Sequence, residues 1–334
     1  MRSIIPVASL PPLPEGPPAM SRALVSLVIP FFNEEDALEP LFAALDTALA
    51  PLQGVAFEFV CVNDASTDRT LERLLALSRT RAGMVVIDLS RNFGKEAALS
   101  AGLETASGDA VIPLDADLQD PPALIGPMID RWREGYEVVL ARRDDRSDDS
   151  YLKRTTSRLF YKVHNLIADV ALPADVGDFR LMDRVVVDAL KRLPENCRFM
   201  KGLFAWIGFR TTEVTYRRAK RSAGRSRMKP WRLWNLALEG ITSFSLSPLK
   251  IWSYVGMLIA FFALAWGTFI VLRTLILGVD IPGYASLLVA VLFLGGIQLM
   301  GIGVMGEYLG RTYLESKRRP PYVIRRVYES RLPE

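Results

Sequence analysis

The chain has 334 residues, enough for about two domains, and half of them are hydrophobic. Two cysteines and a single histidine exclude a Cys/His zinc centre and argue against Ser-His-Asp or Cys-His catalysis. The net charge is only +4, but basic residues gather in 142–158, 217–232 and 311–331, so local patches matter more than the total.

Residues 1–22 carry Pro6, Pro11, Pro12, Pro14, Pro17 and Pro18 and no patterned core, which reads as a disordered or extended arm. No continuous apolar stretch or small-residue cleavage site marks it as a signal peptide. Residues 23–32 read as a buried strand, and Asn33-Glu34-Glu35-Asp36 opens a helix over 37–49. A second strand over 57–62 contains Cys61, expected as a buried thiol. It ends in Asn63-Asp64-Ala65-Ser66-Thr67-Asp68, before a helix over 69–79. A third strand, 84–89, leads through Arg91-Asn92-Phe93-Gly94-Lys95 into a helix over 96–105. A fourth, 110–114, is followed by a helix over 122–134 and a fifth strand over 137–141.

Strand, polar loop and helix in repetition are the pattern of a doubly wound α/β sheet, whose ligands bind at the carboxyl ends of the strands. Each polar cluster in this stretch sits at such an end. The fourth strand runs into Asp115-Ala116-Asp117-Leu118-Gln119-Asp120-Pro121-Pro122. Alternate positions on an extended chain share a side, so Asp115, Asp117 and Gln119 could converge. Three such oxygens suit a hard divalent cation, Mg²⁺ or Mn²⁺; an Asp-rich turn is the plainer reading. The phosphate loop G-x-x-x-x-G-K-[ST] is absent. A nucleotide would be held through base and ribose contacts, and its pyrophosphate through the metal.

Beyond the sheet, 144–150 is a charged loop, and 153–168 is an amphipathic helix carrying Lys153, Arg154, Arg158 and His164. Residues 175–180 read as a turn before a new element at Leu181, 203–207 is apolar, and 211–216 alternates like an edge strand. Residues 217–227 form a basic loop, and 231–244 an amphipathic helix of the kind that lies at a membrane interface. Two charge-free stretches, about 251–272 and 283–306, exceed the roughly 20 residues of a spanning helix. Gly301, Gly303 and Gly306 imitate a dinucleotide fingerprint but lie inside the second stretch, where small residues allow close helix packing. Lys229, Arg232, Lys250, Arg311, Lys317, Arg318 and Arg319 place both ends of this hairpin in the cytoplasm. The expected organisation is a catalytic domain over 23–228, an interfacial helix over 229–247, two transmembrane helices over 248–310 and a basic cytoplasmic tail over 311–334.

These parts imply that a nucleotide-linked donor meets a lipid acceptor at the membrane. Arg143, Lys153, Arg154 and Arg221 could hold an anionic head such as a phosphate, or simply adhere to anionic lipid. A phosphate monoester is largely dianionic at pH 7 and hardly needs a general base.

The strings Val28-Ile29-Pro30-Phe31-Phe32-Asn33-Glu34-Glu35, Val62-Asn63-Asp64-Ala65-Ser66-Thr67-Asp68, Arg91-Asn92-Phe93-Gly94-Lys95 and Asp115–Pro122 together resemble the family 2 glycosyltransferases of GT-A fold. More narrowly, residues 23–326 resemble the polyprenyl-phosphate glycosyltransferases. The resemblance implies that Pro30, Phe32, Asn33, Glu34, Asn63, Asp64, Arg91 and Lys95 bind the donor. It implies that Asp115, Asp117 and Gln119 hold Mg²⁺ or Mn²⁺. Asp178 would lie in the sugar or acceptor region, a catalytic group beside Asp115 and Asp117. Arg143, Ser157 and Arg221, with Lys153 and Arg154, would face the acceptor phosphate. The implied reaction inverts the anomeric centre, with UDP-glucose and undecaprenyl phosphate as the expected substrates. It would run at the cytoplasmic face of the inner membrane, without a nucleic-acid partner and with self-association through the small-residue faces. The chain departs from the family's usual Asp-Asp-Gly-Ser, having Asn63-Asp64-Ala65-Ser66 instead. The alternatives are a processive polysaccharide synthase, whose Gln/Arg-x-x-Arg-Trp motif Lys229-Pro230-Trp231-Arg232 does not match, and a non-catalytic nucleotide-sugar binder.

Overall fold

The structure, a computed structural model, describes residues 23–144, 176–193, 195, 200–216, 247–277 and 283–329. The Pro-rich arm, Lys153, Arg154, Ser157, His164, Arg221 and the expected interfacial helix lie outside these residues.

The described residues build one eight-stranded sheet. Its strands are β1 (Ala23–Phe31), β2 (Val55–Asn63), β3 (Met84–Leu89), β4 (Ala110–Pro113), β5 (Val138–Arg143), β6 (Val176–Asp183), β7 (Thr211–Tyr216) and β8 (Ile324–Glu329). They lie in the order β7-β5-β6-β4-β1-β2-β3-β8. The central four, β4-β1-β2-β3, are all parallel. The chain winds one way from β1 to β2 and β3 and the other way to β4. This reversal opens a crevice at the carboxyl ends of β1 and β4, where open α/β sheets bind ligands.

Alternation along β1 explains why the sheet is covered on both faces. Leu27, Ile29 and Phe31 point to one core, shared with Leu38, Leu41 and Leu45 of α1 (Leu38–Leu49) and with Met128 and Ile129 of α4 (Ile125–Arg133). Val28 points to the other, against Ala98, Leu99 and Ala101 of α3 (Lys95–Thr105). That helix packs so closely that a Cβ on Gly102 would lie 2.2 Å from Val28 Cγ1. The α2 helix (Thr70–Thr80) joins the first face. The second is completed by α5 (Arg184–Lys191) and α6 (Met200–Trp206).

Two segments differ from the sequence reading. Residues 176–180, expected as a turn, belong to β6, which runs antiparallel between β4 and β5. Gly177-Asp178 looks like turn punctuation, but pairing on both edges and burial of Phe179, Leu181 and Met182 override that local preference. Residues 324–329, expected within a basic tail, form the edge strand β8, antiparallel to β3.

Two long helices precede β8: α7 (Ser247–Leu277) and α8 (Tyr284–Ser316). Among the described residues, the segment Leu249–Ile270, with a mean hydropathy of 1.8, is long and apolar enough to cross a membrane. Met257, Phe261, Leu264 and Trp266 on it are largely exposed. The α8 helix covers the second expected span. At its Gly301 the two helices approach closely, since a Cβ there would run into the Trp252 indole.

Candidate active site

The crevice is lined by the loops that leave β1, β2, β3 and β4 and by the start of β6. Because β6 is antiparallel, its first residues lie at the carboxyl end of its parallel neighbours. It pairs Asp183 with Ala110 and Met182 with Val111; continued along both chains, that register sets Asp178 opposite Asp115. The two carboxylates are joined by a cation. Lys95 Nζ lies 2.8 Å from the Asp115 carboxylate and 2.7 Å from Asp178 Oδ2.

Lys95 is the first residue of α3, where the helix dipole disfavours a positive charge. Burial also opposes its charge, but Asp178 and Asp115 outweigh both and hold the ammonium well above the ordinary lysine range. Burial, opposed by Lys95 and assisted by the neighbouring charges of Asp178 and Asp117, pushes Asp115 up from the ordinary carboxylate value. Asp117 Oδ1 accepts the backbone N–H of Gln119 at 3.1 Å, and Gln119 is itself buried.

On the donor side, the loops after β1 and β2 are laced together. Asn33 Oδ1 accepts Thr67 N at 2.7 Å, and Asn33 N donates to Ser66 Oγ at 3.0 Å. Glu34 N donates to Thr70 Oγ1 at 3.0 Å. Asn63 spends its carboxamide internally: Nδ2 donates to Asp88 Oδ1 at 2.8 Å, and Oδ1 accepts Ser66 N at 3.2 Å. Asp64 accepts Phe93 N at 2.7 Å and Gly94 N at 2.9 Å, which fixes the turn that delivers Lys95. Burial outweighs these two bonds and raises the Asp64 carboxyl. The Arg91 guanidinium stacks 4.0 Å over the Phe93 ring. Phe32 stands exposed at the lip, beside a strand end containing Pro30.

Backbone strain concentrates here. Asn33, Ala65 and Leu118 have φ of 54°, 52° and 56° in the loops after β1, β2 and β4. A left-handed non-glycine residue costs about 1–2 kcal/mol, and such outliers cluster at functional sites.

On the other side, Arg143 ends β5 and its Nε lies 3.4 Å from Tyr216 Oη. Tyr216 Oη donates to the Asp120 carboxylate. Burial, and then that bond, push the phenol up to about 12.

The structure thus brings Lys95, Asp115, Asp117 and Asp178 to one end of the crevice and the Asn33, Asn63 and Asp64 loops to its wall. Among the described residues, no three Asp, Glu, His or Cys side chains form a metal cage by themselves. The carboxylates of Asp115 and Asp117 nonetheless supply hard oxygen donors, and the Lys95 ammonium marks the place as one that draws a cation. This fits a divalent ion that takes its other ligands from substrate or water. Sequence reasoning missed Asp88, an acid inside an apolar strand, whose position next to the polar loop was its one signal. It also missed the Tyr216–Asp120 pair, which joins residues far apart in sequence.

Residues 26–191 match the family described as glycosyl transferase family 2. The chain is 54% identical over 300 residues to an uncharacterised glycosyltransferase of Synechocystis sp., covering 90% of this chain and 94% of that one. It is 50% identical to a prophage bactoprenol glucosyl transferase homolog of Escherichia coli (strain K12), covering 91% and 99%. It is also 50% identical to the bactoprenol glucosyl transferase of Shigella phage SfV, covering 90% and 98%. With its Rossmann-like α/β sheet of GT-A type, the chain is a glycosyltransferase and belongs to glycosyl transferase family 2.

Proposed function

We propose that the protein transfers glucose from UDP-glucose to undecaprenyl phosphate, with inversion, at the cytoplasmic face of the inner membrane. The observation that carries this reading is the half-identity, over nine-tenths of the chain, to relatives named bactoprenol glucosyl transferases. The crevice supports it with an acid–lysine cluster placed where a donor pyrophosphate would meet an acceptor.

In this reading Pro30 and Phe32 form the apolar lip for the base, and the Asn33–Glu34 and Asn63–Asp64 loops shape the nucleoside pocket, with Arg91 beside it. Asp115 and Asp117, with Gln119, would hold Mg²⁺ or Mn²⁺, which when bound supplies positive charge against the departing nucleoside diphosphate. The acceptor's phosphate oxygen attacks the anomeric carbon from the face opposite the pyrophosphate. The carbon–oxygen bond to the β-phosphate breaks, and UDP leaves with the bonding pair. A dianionic phosphate brings its own nucleophilic oxygen. Asp178, tied to Lys95, is accordingly an orienting carboxylate rather than a base. Lys95 keeps Asp115 and Asp178 from repelling one another. Arg143 contributes positive charge on the acceptor side, with Lys153, Arg154, Ser157 and Arg221 assigned to the same phosphate. The α7 and α8 helices span the membrane as a hairpin, so the polyprenyl tail stays in lipid while its head reaches the crevice.

The test is incubation of membranes containing the protein with Mn²⁺, undecaprenyl phosphate and a panel of nucleotide sugars, with the lipid product read by mass. A hexosyl-phosphate lipid formed from UDP-glucose supports the reading. Transfer from another donor replaces the sugar, and no lipid product from any donor overturns the acceptor assignment.

A further inference from the structure

We propose that the strand following the two long helices is part of the donor site, with Arg325 positioning Asn63 through Asp88. The proposal rests on the reading above that the Asn63–Asp68 loop receives the nucleoside. Asp88 is 2% exposed, on the inner strand β3. One oxygen accepts Asn63 Nδ2 at 2.8 Å and the other accepts Arg325 Nη1 at 3.3 Å. Arg325 Nη2 donates in addition to Ser90 O at 2.8 Å, one residue past the end of β3.

The backbone of β8 is built for this contact. Its register with β3 pairs Arg326 with Asp88 but Ile324 with Leu89. Arg325 is therefore the extra residue of a β-bulge, a device that re-aims a side chain at a sheet edge. Val323 O accepts Ser90 N at 2.9 Å, and Tyr322 Oη donates to Glu104, so the approach to the bulge is fastened to the catalytic domain as well.

From Arg325 a continuous path of polar contacts reaches both donor loops. Asp88 orients the Asn63 amide, Asn63 Oδ1 fixes Ser66 N, and Ser66 Oγ accepts Asn33 N. Asn63 cannot turn its carbonyl towards Asp88 without facing oxygen to oxygen, so the buried acid selects one amide orientation. Arg325 places a countercharge against this buried carboxylate and holds it in position. The segment carrying it lies beyond both long helices in the sequence, so the nucleoside pocket is completed only after the chain has passed through them.

The experiment uses the full chain in detergent with UDP as the probe, together with steady-state transfer from UDP-glucose. Arg325→Gln keeps a donor for Ser90 O and removes the charge; Arg325→Lys keeps the charge; Arg326→Ala serves as the neighbouring control. Arg325→Gln is expected to weaken UDP binding and raise the donor KM about fivefold, the size of one ordinary hydrogen bond, since Arg325 acts on the pocket only through Asp88 and Asn63. The kcat and the acceptor KM stay within about twofold, Arg325→Lys recovers part of the loss, and Arg326→Ala leaves the donor KM unchanged. A purely structural strand would instead lower the melting temperature and active fraction in Arg325→Gln without this KM-against-kcat split, and that result overturns the proposal. Equal UDP affinity in Arg325→Gln and the parent chain also overturns it. Failure of the parent chain itself to bind UDP is a distinct outcome that removes the nucleoside reading, and the proposal with it.

Discussion

Asn63→Asp restores the carboxylate that the resembling family carries at this position, and the structure says it should be costly here. Asn63 and Asp88 are 1% and 2% exposed, and the atoms that now share a proton are 2.8 Å apart. Two ionised carboxylates with charge centres about 3.5 Å apart would repel by about 5 kcal/mol at an effective dielectric of 20. Keeping one proton is cheaper. Holding it at pH 7 on a group of ordinary pKa near 3.9 costs about 4 kcal/mol, at 1.36 kcal/mol per unit. The Arg325 charge offsets part of either cost, leaving about 3–4 kcal/mol. At about 2–4 °C per kcal/mol for a domain of this size, the melting temperature at pH 7 falls by about 6–16 °C. The new carboxyl is protonated more readily folded than unfolded, so the deficit is largest at neutral pH. It shrinks by about 1.4 kcal/mol per unit as pH falls towards the unfolded value. Thermal melts at pH 7, 6 and 5 read this directly, and Asp88→Asn in the same chain should recover most of the loss by exchanging acid and amide. A variant melting within about 2 °C of the parent at pH 7, or a deficit equally large at pH 5, would refute the buried-pair reasoning.

Other expectations follow from single contacts. Ala65 has a φ of 52°, so Ala65→Gly relieves about 1–2 kcal/mol of strain against about 0.4–1 kcal/mol of added unfolded-chain freedom. A small rise in melting temperature is expected, and a fall would show the loop is not held left-handed. Lys95→Met removes the ammonium between Asp115 and Asp178 and leaves the two carboxylates to repel one another, so the melting temperature should fall. In the transfer assay its kcat should drop about 100-fold. Tyr216, with its phenol pushed up to about 12, contributes stability that is fully present below its unfolded value near 10. That contribution is lost as pH rises from there to about 12. Tyr216→Phe should therefore melt lower at pH 8 and show a flatter loss over the alkaline range, measured as the difference from the parent chain.

The central sheet was legible because its physics is local. Apolar runs of 23–32, 57–62, 84–89 and 110–114 stop at polar residues, and strands β1 to β4 end within a residue or so of those stops. The cluster around Asp115 was legible in part, since Asp115 and Asp117 announce themselves at a strand end. Lys95 was expected at the donor, and its contacts with Asp115 and Asp178 were not legible. Asp178 looked like part of a turn because nothing in its neighbourhood reveals that β6 enters the sheet between two earlier strands. The same holds for Arg325, one basic residue among many in a charged terminus. Its partner Asp88 lies 237 residues earlier. Only the bulge in β8 distinguishes it, and a bulge is a property of pairing.

The position of β8 has a consequence for how the protein is made. Until residues 324–329 emerge, β3 has a bare edge, an apolar strand offering unpaired backbone groups to any neighbouring chain. Synthesis at about 5–20 residues per second keeps that edge open while both long helices are being produced and placed. The parallel core can form early, but its last ladder must wait until β8 has been made. Ribosome-bound chains halted before residue 320 should thus be more prone to associate through β3 than the finished protein. Synthesis of the helices and closure of the sheet are then successive stages of one assembly.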